Sequence, residues 1–177
     1  MLVILSDPTQ AGIYSGAVRF TAAYPLFAGS FSTVLAPRIA SITQLAELRH
    51  FLIKVILATG GLIGTIIVFI MIANPLMYVI LGPKAEPIIP VLQILLVSMI
   101  FFVGSIPAVT LAVYYLKKPD ILTLNSIIQV VIVIIGNYFF IPHFGRFGPA
   151  YSLILAYGTT FILTSIMSYW YLTRRYD

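Results

Sequence analysis

Gly12–Pro37, GIYSGAVRFTAAYPLFAGSFSTVLAP, is the stretch on which the reading of this chain turns. A helix rising about 1.5 Å per residue needs about 20 residues to cross a hydrocarbon core, so the stretch is long enough to span. It is not apolar all round, because it carries Arg19, Pro25 and a scatter of Gly, Ala, Ser and Thr. An arginine at membrane depth costs about 2.5–3.5 kcal/mol on insertion scales, and such residues face a bundle interior or a wet cavity. Small residues and a proline mark a helix that packs closely and bends. The stretch therefore predicts a cavity-lining helix with Arg19 as a candidate contact and Pro25 as a candidate kink. The competing reading of Arg19 is a side chain that snorkels to the headgroups.

Composition supports the same view. Apolar residues make up 60% of the 177, charged residues 8%, and the mean hydropathy is +1.06. An ordinary soluble domain is about 25% charged, so a water-facing surface cannot be built from this chain and it reads as an all-α integral membrane protein. The net charge of +5 comes from basic residues at segment ends, which argues against a nucleic-acid partner. The absence of cysteine removes disulfides, thiolate metal sites and cysteine nucleophiles together. Met1–Leu5 is too short an apolar run for a cleavable signal peptide.

In chain order, Asp7-Pro8 is a helix start, and the first span is expected over 8–37. Ser41–His50 is polar and reads as an amphipathic surface connector. Further spans are expected over 51–77, 88–115, 121–141 and 150–172. Gly60, Gly61 and Gly64 suggest a packing face on the second, Pro107 is a kink candidate in the third, and residues 142–149 read as a rigid hairpin. Seven of the ten basic residues (Arg38, Arg49, Lys54, Lys117, Lys118, Arg174 and Arg175) fall on one side of such a five-span arrangement. Lys84 and Arg146 fall on the other. This bias predicts a cytoplasmic C-terminus. An outside start of the first helix without a signal peptide suggests a missing upstream half.

Catalytic and metal chemistry find no footing. The five acidic residues lie in loops or at ends, and His50 and His143 are on opposite sides, so no acid–base pair and no metal cluster is expected. No serine has an embedded histidine or lysine to activate it, and an enzyme is not expected. What remains is a sparse polar lining. Asn125, Gln129, Gly136 and Asn137 share one face of the fourth span, Gln93 and Ser98 lie on the third, and Thr21, Ser30 and Thr33 on the first. The functional reading is a hydrophilic path for a polar or anionic substrate group; the alternative is interhelical glue.

Gly12-Ile13-Tyr14-Ser15-x-Ala17-x-Arg19 leading to Pro37 resembles the first helix of the C-terminal lobe in polysaccharide and lipid-linked oligosaccharide flippases. These include the O-antigen translocases of lipopolysaccharide synthesis, within the multidrug/oligosaccharidyl-lipid/polysaccharide exporter superfamily. Asn74-Pro75-Leu76, Ile80-Leu81-Gly82 and Val91-Leu92-Gln93-Ile94-Leu95 are similar to that family's next helix pair. Asn125, Asn137 and Pro142-x-Phe144-Gly145-x-x-Gly148-x-Ala150 resemble its closing signature, with Pro149 in place of the usual alanine. The resemblance covers nearly all of 1–177 and rests on the succession of motifs, none of which is specific alone. It implies most of one lobe of a two-lobe, MATE-like exporter, with an N-terminal lobe as partner. It also implies a multi-pass protein of a bacterial or archaeal cytoplasmic membrane that carries an undecaprenyl-diphosphate-linked oligosaccharide outward without a cofactor. On this view Arg19 meets the diphosphate. Other readings are a drug or metabolite antiporter, a peptidoglycan-precursor flippase, or a non-transporting membrane scaffold.

Overall fold

The computed structural model describes residues 1–42 and 44–176, except for the side chains of residues 45, 175 and 176. Among the described residues the chain forms helices and short turns, with no strand. Three helical runs, Ala46–Ala85, Ile89–Tyr115 and Asp120–Arg174, are long and apolar enough to cross a membrane. Large apolar side chains such as Leu57, Met71, Val79, Ile127 and Phe139 point outward. That surface suits helices whose solvent is lipid.

After a single turn, α1 (Leu2–Leu5), the chain forms α2 (Pro8–Thr21) and α3 (Ala23–Ala40). The start is capped as its residues dictate: the Asp7 carboxylate accepts from the Thr9 N–H at 3.2 Å, and Pro8 occupies the first helical position. The bent span expected over 8–37 is two helices that meet at Ala22, three residues before the kink candidate Pro25. Pro25 explains the break, since it has no N–H to give the Thr21 carbonyl and its ring crowds that oxygen. The Thr21 hydroxyl turns back to the Val18 carbonyl at 2.9 Å. Pro37, by contrast, stays inside α3. Neither α2, with 14 residues, nor α3, with its Pro, Ser, Thr and Arg, is among the runs long and apolar enough to cross a membrane.

The expected connector over 41–50 is shorter than its polarity suggested. Helix α4 (Leu45–Leu81) begins early and takes Glu47, Arg49 and His50 into its first turns. It passes through Pro75 and stops at Gly82, whose φ of +59° favours glycine. Its 37 residues reach about 55 Å, well beyond a core of about 30 Å, so the first turns have room to stand at the boundary. The packing face expected at Gly60, Gly61 and Gly64 is not used within the chain, since a Cβ at any of them would meet nothing within 4 Å. The buried stripe is Leu48, Phe51, Val55, Thr59, Ile66, Ala73 and Met77. Gly60 lies one position, about 100°, off that stripe.

Helix α5 (Ile89–Gly104) is the centre of the bundle, packing on α2, α4 and α8 through Val91, Leu92, Leu95 and Leu96. It gives way to α6 (Ile106–Thr110) and one π-type turn, Leu111–Tyr115. The change falls two residues before Pro107. There the Ser105 N–H is shared between the Phe101 and Phe102 carbonyls at 3.1 and 3.3 Å, and its hydroxyl donates to Phe102 O at 2.7 Å. The serine thus serves carbonyls near the one Pro107 leaves unpaired.

The last run doubles back. Helices α7 (Asp120–Phe144) and α8 (Gly148–Tyr176) are joined by the turn Gly145–Phe147. Asn125 meets Thr164 and Gly136 meets Ser152, so the two helices lie antiparallel in constant register. The glycines of the hairpin have separate jobs. Gly145 has φ +52°, and a Cβ there would also collide with Gln10. At Gly148 a Cβ would fall 2.7–2.8 Å from backbone atoms of Phe140 and Ile141.

Two contacts set the direction of the helices. The Arg146 N–H donates to Gln10 Oε1 at 2.7 Å, and Gly16 approaches Ile88, so α2, α5 and the hairpin tip begin at one end. At the other end the Ser168 hydroxyl donates to Ala108 O at 3.0 Å and the Lys118 ammonium lies 5.5 Å above Tyr171. Lys84 and Arg146 therefore belong to the first end, and Arg38, Arg49, Lys54, Lys117, Lys118 and Arg174 to the second. The side chain of Arg175 and all of Asp177 lie outside the described residues.

Gly148→Ala should therefore damage the fold. Overpacking of this kind costs about 1–3 kcal/mol, read as a lower unfolding temperature in detergent or a smaller folded yield. Gly12→Ala, which meets nothing within 4 Å, is the control and should be neutral to slightly stabilising.

Candidate substrate cleft

A cleft of about 310 Å³ opens between α3, the α5–α6 junction, α7 and α8. Small residues make the room: Ala28, Gly29 and Ser32 on α3 present almost no side chain to it. Phe102, Ser105, Ile106 and Val109 form the second wall, and Leu122, Asn125, Ser126 and Gln129 the third. Tyr157, Thr160 and Thr164 of α8 close the fourth, with the Phe102 and Tyr157 rings 5.2 Å apart.

The serine and threonine hydroxyls in these walls are already engaged. Ser32 donates to Ala28 O at 2.9 Å, Ser126 to Leu122 O at 2.8 Å and Thr160 to Ala156 O at 3.0 Å. Thr164 donates to Thr160 O at 2.6 Å. This is the usual way a hydroxyl avoids isolation on a helix with little water nearby. The amides differ. Asn125 is 6% exposed; its Nδ2 donates to the Thr164 hydroxyl, while its Oδ1 is buried without a partner. Gln129, one turn on, is half-buried and makes no hydrogen bond among the described residues. An unsatisfied buried acceptor costs about 1–3 kcal/mol, so Asn125 Oδ1 is where an incoming donor gains most. The cleft carries no charged side chain. Neutral donors and acceptors beside aromatic rings suit a hydroxylated, uncharged group better than an ion.

The structure distributes the sequence candidates unevenly. Pro25, Asn125 and Gln129 line the cleft, and Pro107 sits at the helix break beside it. Gln93 lies elsewhere, in a shallow groove with Asn74, Tyr78 and Glu86, and donates to Ile70 O at 3.4 Å. Asn137 is two turns beyond Gln129 and does not line the cleft, although its Oδ1 is also buried without a partner. Ser98 and Thr21 are buried and bonded within their own helices, and Ser30 and Thr33 bond back to their own helix from exposed positions. Arg19 is exposed and pairs with no acid among the described residues. It does not line the cleft. Tyr157, Thr160 and Thr164 were not among the candidates. Their spacing of three and four residues is that of one helical face, a signal present in the sequence.

Among the described residues no group of three or more His, Asp or Glu side chains is placed to hold a metal ion. No protein-family model, curated protein or solved structure matches this chain. The apolar helical runs are those of a membrane protein.

Because the chain has no cysteine, water access to the cleft can be read one position at a time. Gln129→Cys should react with a water-soluble maleimide in membranes, while Ile127→Cys, 58% exposed on the outer side of the same helix, should not. An inert Gln129→Cys would mean a closed, dry cleft.

Proposed function

We propose that this chain is most of the C-terminal lobe of a two-lobe, MATE-like exporter that moves a diphosphate-linked oligosaccharide across a cytoplasmic membrane. In this reading it crosses the bilayer five times, over α2–α3, α4, α5–α6, α7 and α8, and its C-terminus is cytoplasmic. The observation that carries the proposal is the uncharged, amide-walled cleft with an unsatisfied Asn125 Oδ1. Sugar hydroxyls supply donors to such an oxygen and acceptors to the Gln129 amide, and sugar C–H faces lie well against Phe102 and Tyr157. The lipid tail stays in the bilayer.

The anionic part of the substrate needs a cation, and the cleft has none. Arg19 is the candidate, on a face of α2 that this chain leaves uncovered and that a partner lobe would complete. A guanidinium pairs well with a diphosphate, and more strongly where water is scarce. The breaks at Ala22 and Ser105, each linked to a proline, supply hinges through which α3 and α6 tilt as access alternates. No step requires a cofactor, a metal or bond chemistry. A drug antiporter of the same superfamily would carry an ionisable carboxylate in the missing lobe and a more apolar cavity, so the upstream coding sequence discriminates.

Polysaccharide export by the full-length protein in a strain lacking its own exporter tests both parts. Arg19→Ala should abolish export, with Arg19→Lys retaining part of it. Asn125→Leu combined with Gln129→Leu should lower the rate about tenfold to a hundredfold at unchanged protein level. Normal export by the double variant would remove the cleft from the substrate path.

A further inference from the structure

A second groove, of about 340 Å³, lies where α3 ends and α4 begins, outside the cleft described above. Its two walls, the end of α3 and the start of α4, come close at few points, and a slot stands open at the surface between them. The slot is polar at one end only. Arg38, Glu47 and His50 line it near the connector, and Lys54 follows one turn inward. Beyond them the walls are apolar: Phe31 and Val34 on α3, Val55 and Ala58 on α4.

Charge and length identify the occupant. Two permanent cations and an imidazole face a single carboxylate, and none of the four forms an ion pair among the described residues. The basic end therefore has unspent positive charge and hydrogen-bond donors. From Glu47 to Ala58 the groove runs eleven residues, about 16 Å along the helix, close to one leaflet of a core of about 30 Å. A molecule that fits has an anionic phosphate at the boundary and a hydrocarbon chain one leaflet long.

We propose that this groove is a binding site for a resident anionic glycerophospholipid, with its phosphate held by Arg38, His50 and Lys54 and one acyl chain laid along Phe31, Val34, Val55 and Ala58. Basic pockets between helices at the membrane boundary recognise acidic headgroups in this way. Guanidinium and ammonium groups contact phosphate oxygens without displacing another partner. The bound lipid fills the gap that direct packing leaves between α3 and α4, and so braces the first helical pair against the rest of the bundle. The site stands apart from any transport role.

Retention of phosphatidylglycerol by the purified chain, measured by native mass spectrometry and by the rise in unfolding temperature on lipid addition, tests this. Phosphatidylcholine and water-soluble glycerol phosphate serve as the comparison ligands. The wild type should prefer phosphatidylglycerol over phosphatidylcholine and ignore glycerol phosphate. Each basic group near an anionic lipid is worth about fivefold in affinity, so R38Q combined with K54Q should lower the affinity about 25-fold. Ala58→Trp, which fills the apolar end and leaves every charge in place, should also weaken binding. Arg49→Gln, an exposed charge on the same helix that does not line the groove, should leave it unchanged. The proposal is overturned if both lipids bind alike or if glycerol phosphate binds as well as the lipid. It is equally overturned if Arg49→Gln costs as much as R38Q/K54Q, which would leave only a diffuse surface attraction.

Discussion

In hydrocarbon a backbone carbonyl that loses its helical partner has no water to turn to, and this chain has several such carbonyls because prolines recur inside its helices. Two of these sites show local hydrogen-bond adjustments. Near Pro25 the helix breaks and the Thr21 hydroxyl serves Val18. Near Pro107 the Ser105 N–H is shared between two carbonyls while its hydroxyl takes one of them as well. The cleft lies beside both places.

The same economy separates the polar side chains into two kinds. The serine and threonine hydroxyls that line the cleft donate back into their own helices, which commits their protons there. A carboxamide has both a donor and an acceptor end and cannot satisfy both so easily within one helix. Asn125 spends its donor on Thr164 and keeps its oxygen; Gln129 keeps both ends. Amide character, more than polarity in general, therefore marks this cleft, and it carries the reading of a hydroxyl-bearing substrate.

Cationic groups are distributed by a different rule. They collect at one end of the bundle, where Lys118 lies over Tyr171 and Arg174 stacks 3.9 Å from Trp170. At the α3–α4 corner they line an apolar slot without an ion-pair partner. Arg19 belongs to neither group. It is exposed on α2, does not line the cleft and pairs with no acid among the described residues.

Much of this was legible from residues alone. Hydropathy and helical length marked the apolar runs, Asp7-Pro8 marked a helix start, and the glycines at 145 and 148 marked a hairpin tip. Each is local, decided by a few neighbours in sequence, and local rules suffice for it. The early start of α4 and the idle face at Gly60–Gly64 were not legible, since they depend on which side of a helix meets which neighbour. The polar candidates show the same division. Sequence placed Asn125, Gln129 and Asn137 on one face, but only packing put the first two in a cleft with Pro25 and left the third outside it. Composition determined that this chain lives in lipid, because 60% apolar residues cannot build a watered surface. Tertiary structure decided where its few polar atoms remain unpaired, because pairing depends on distances across helices far apart in sequence.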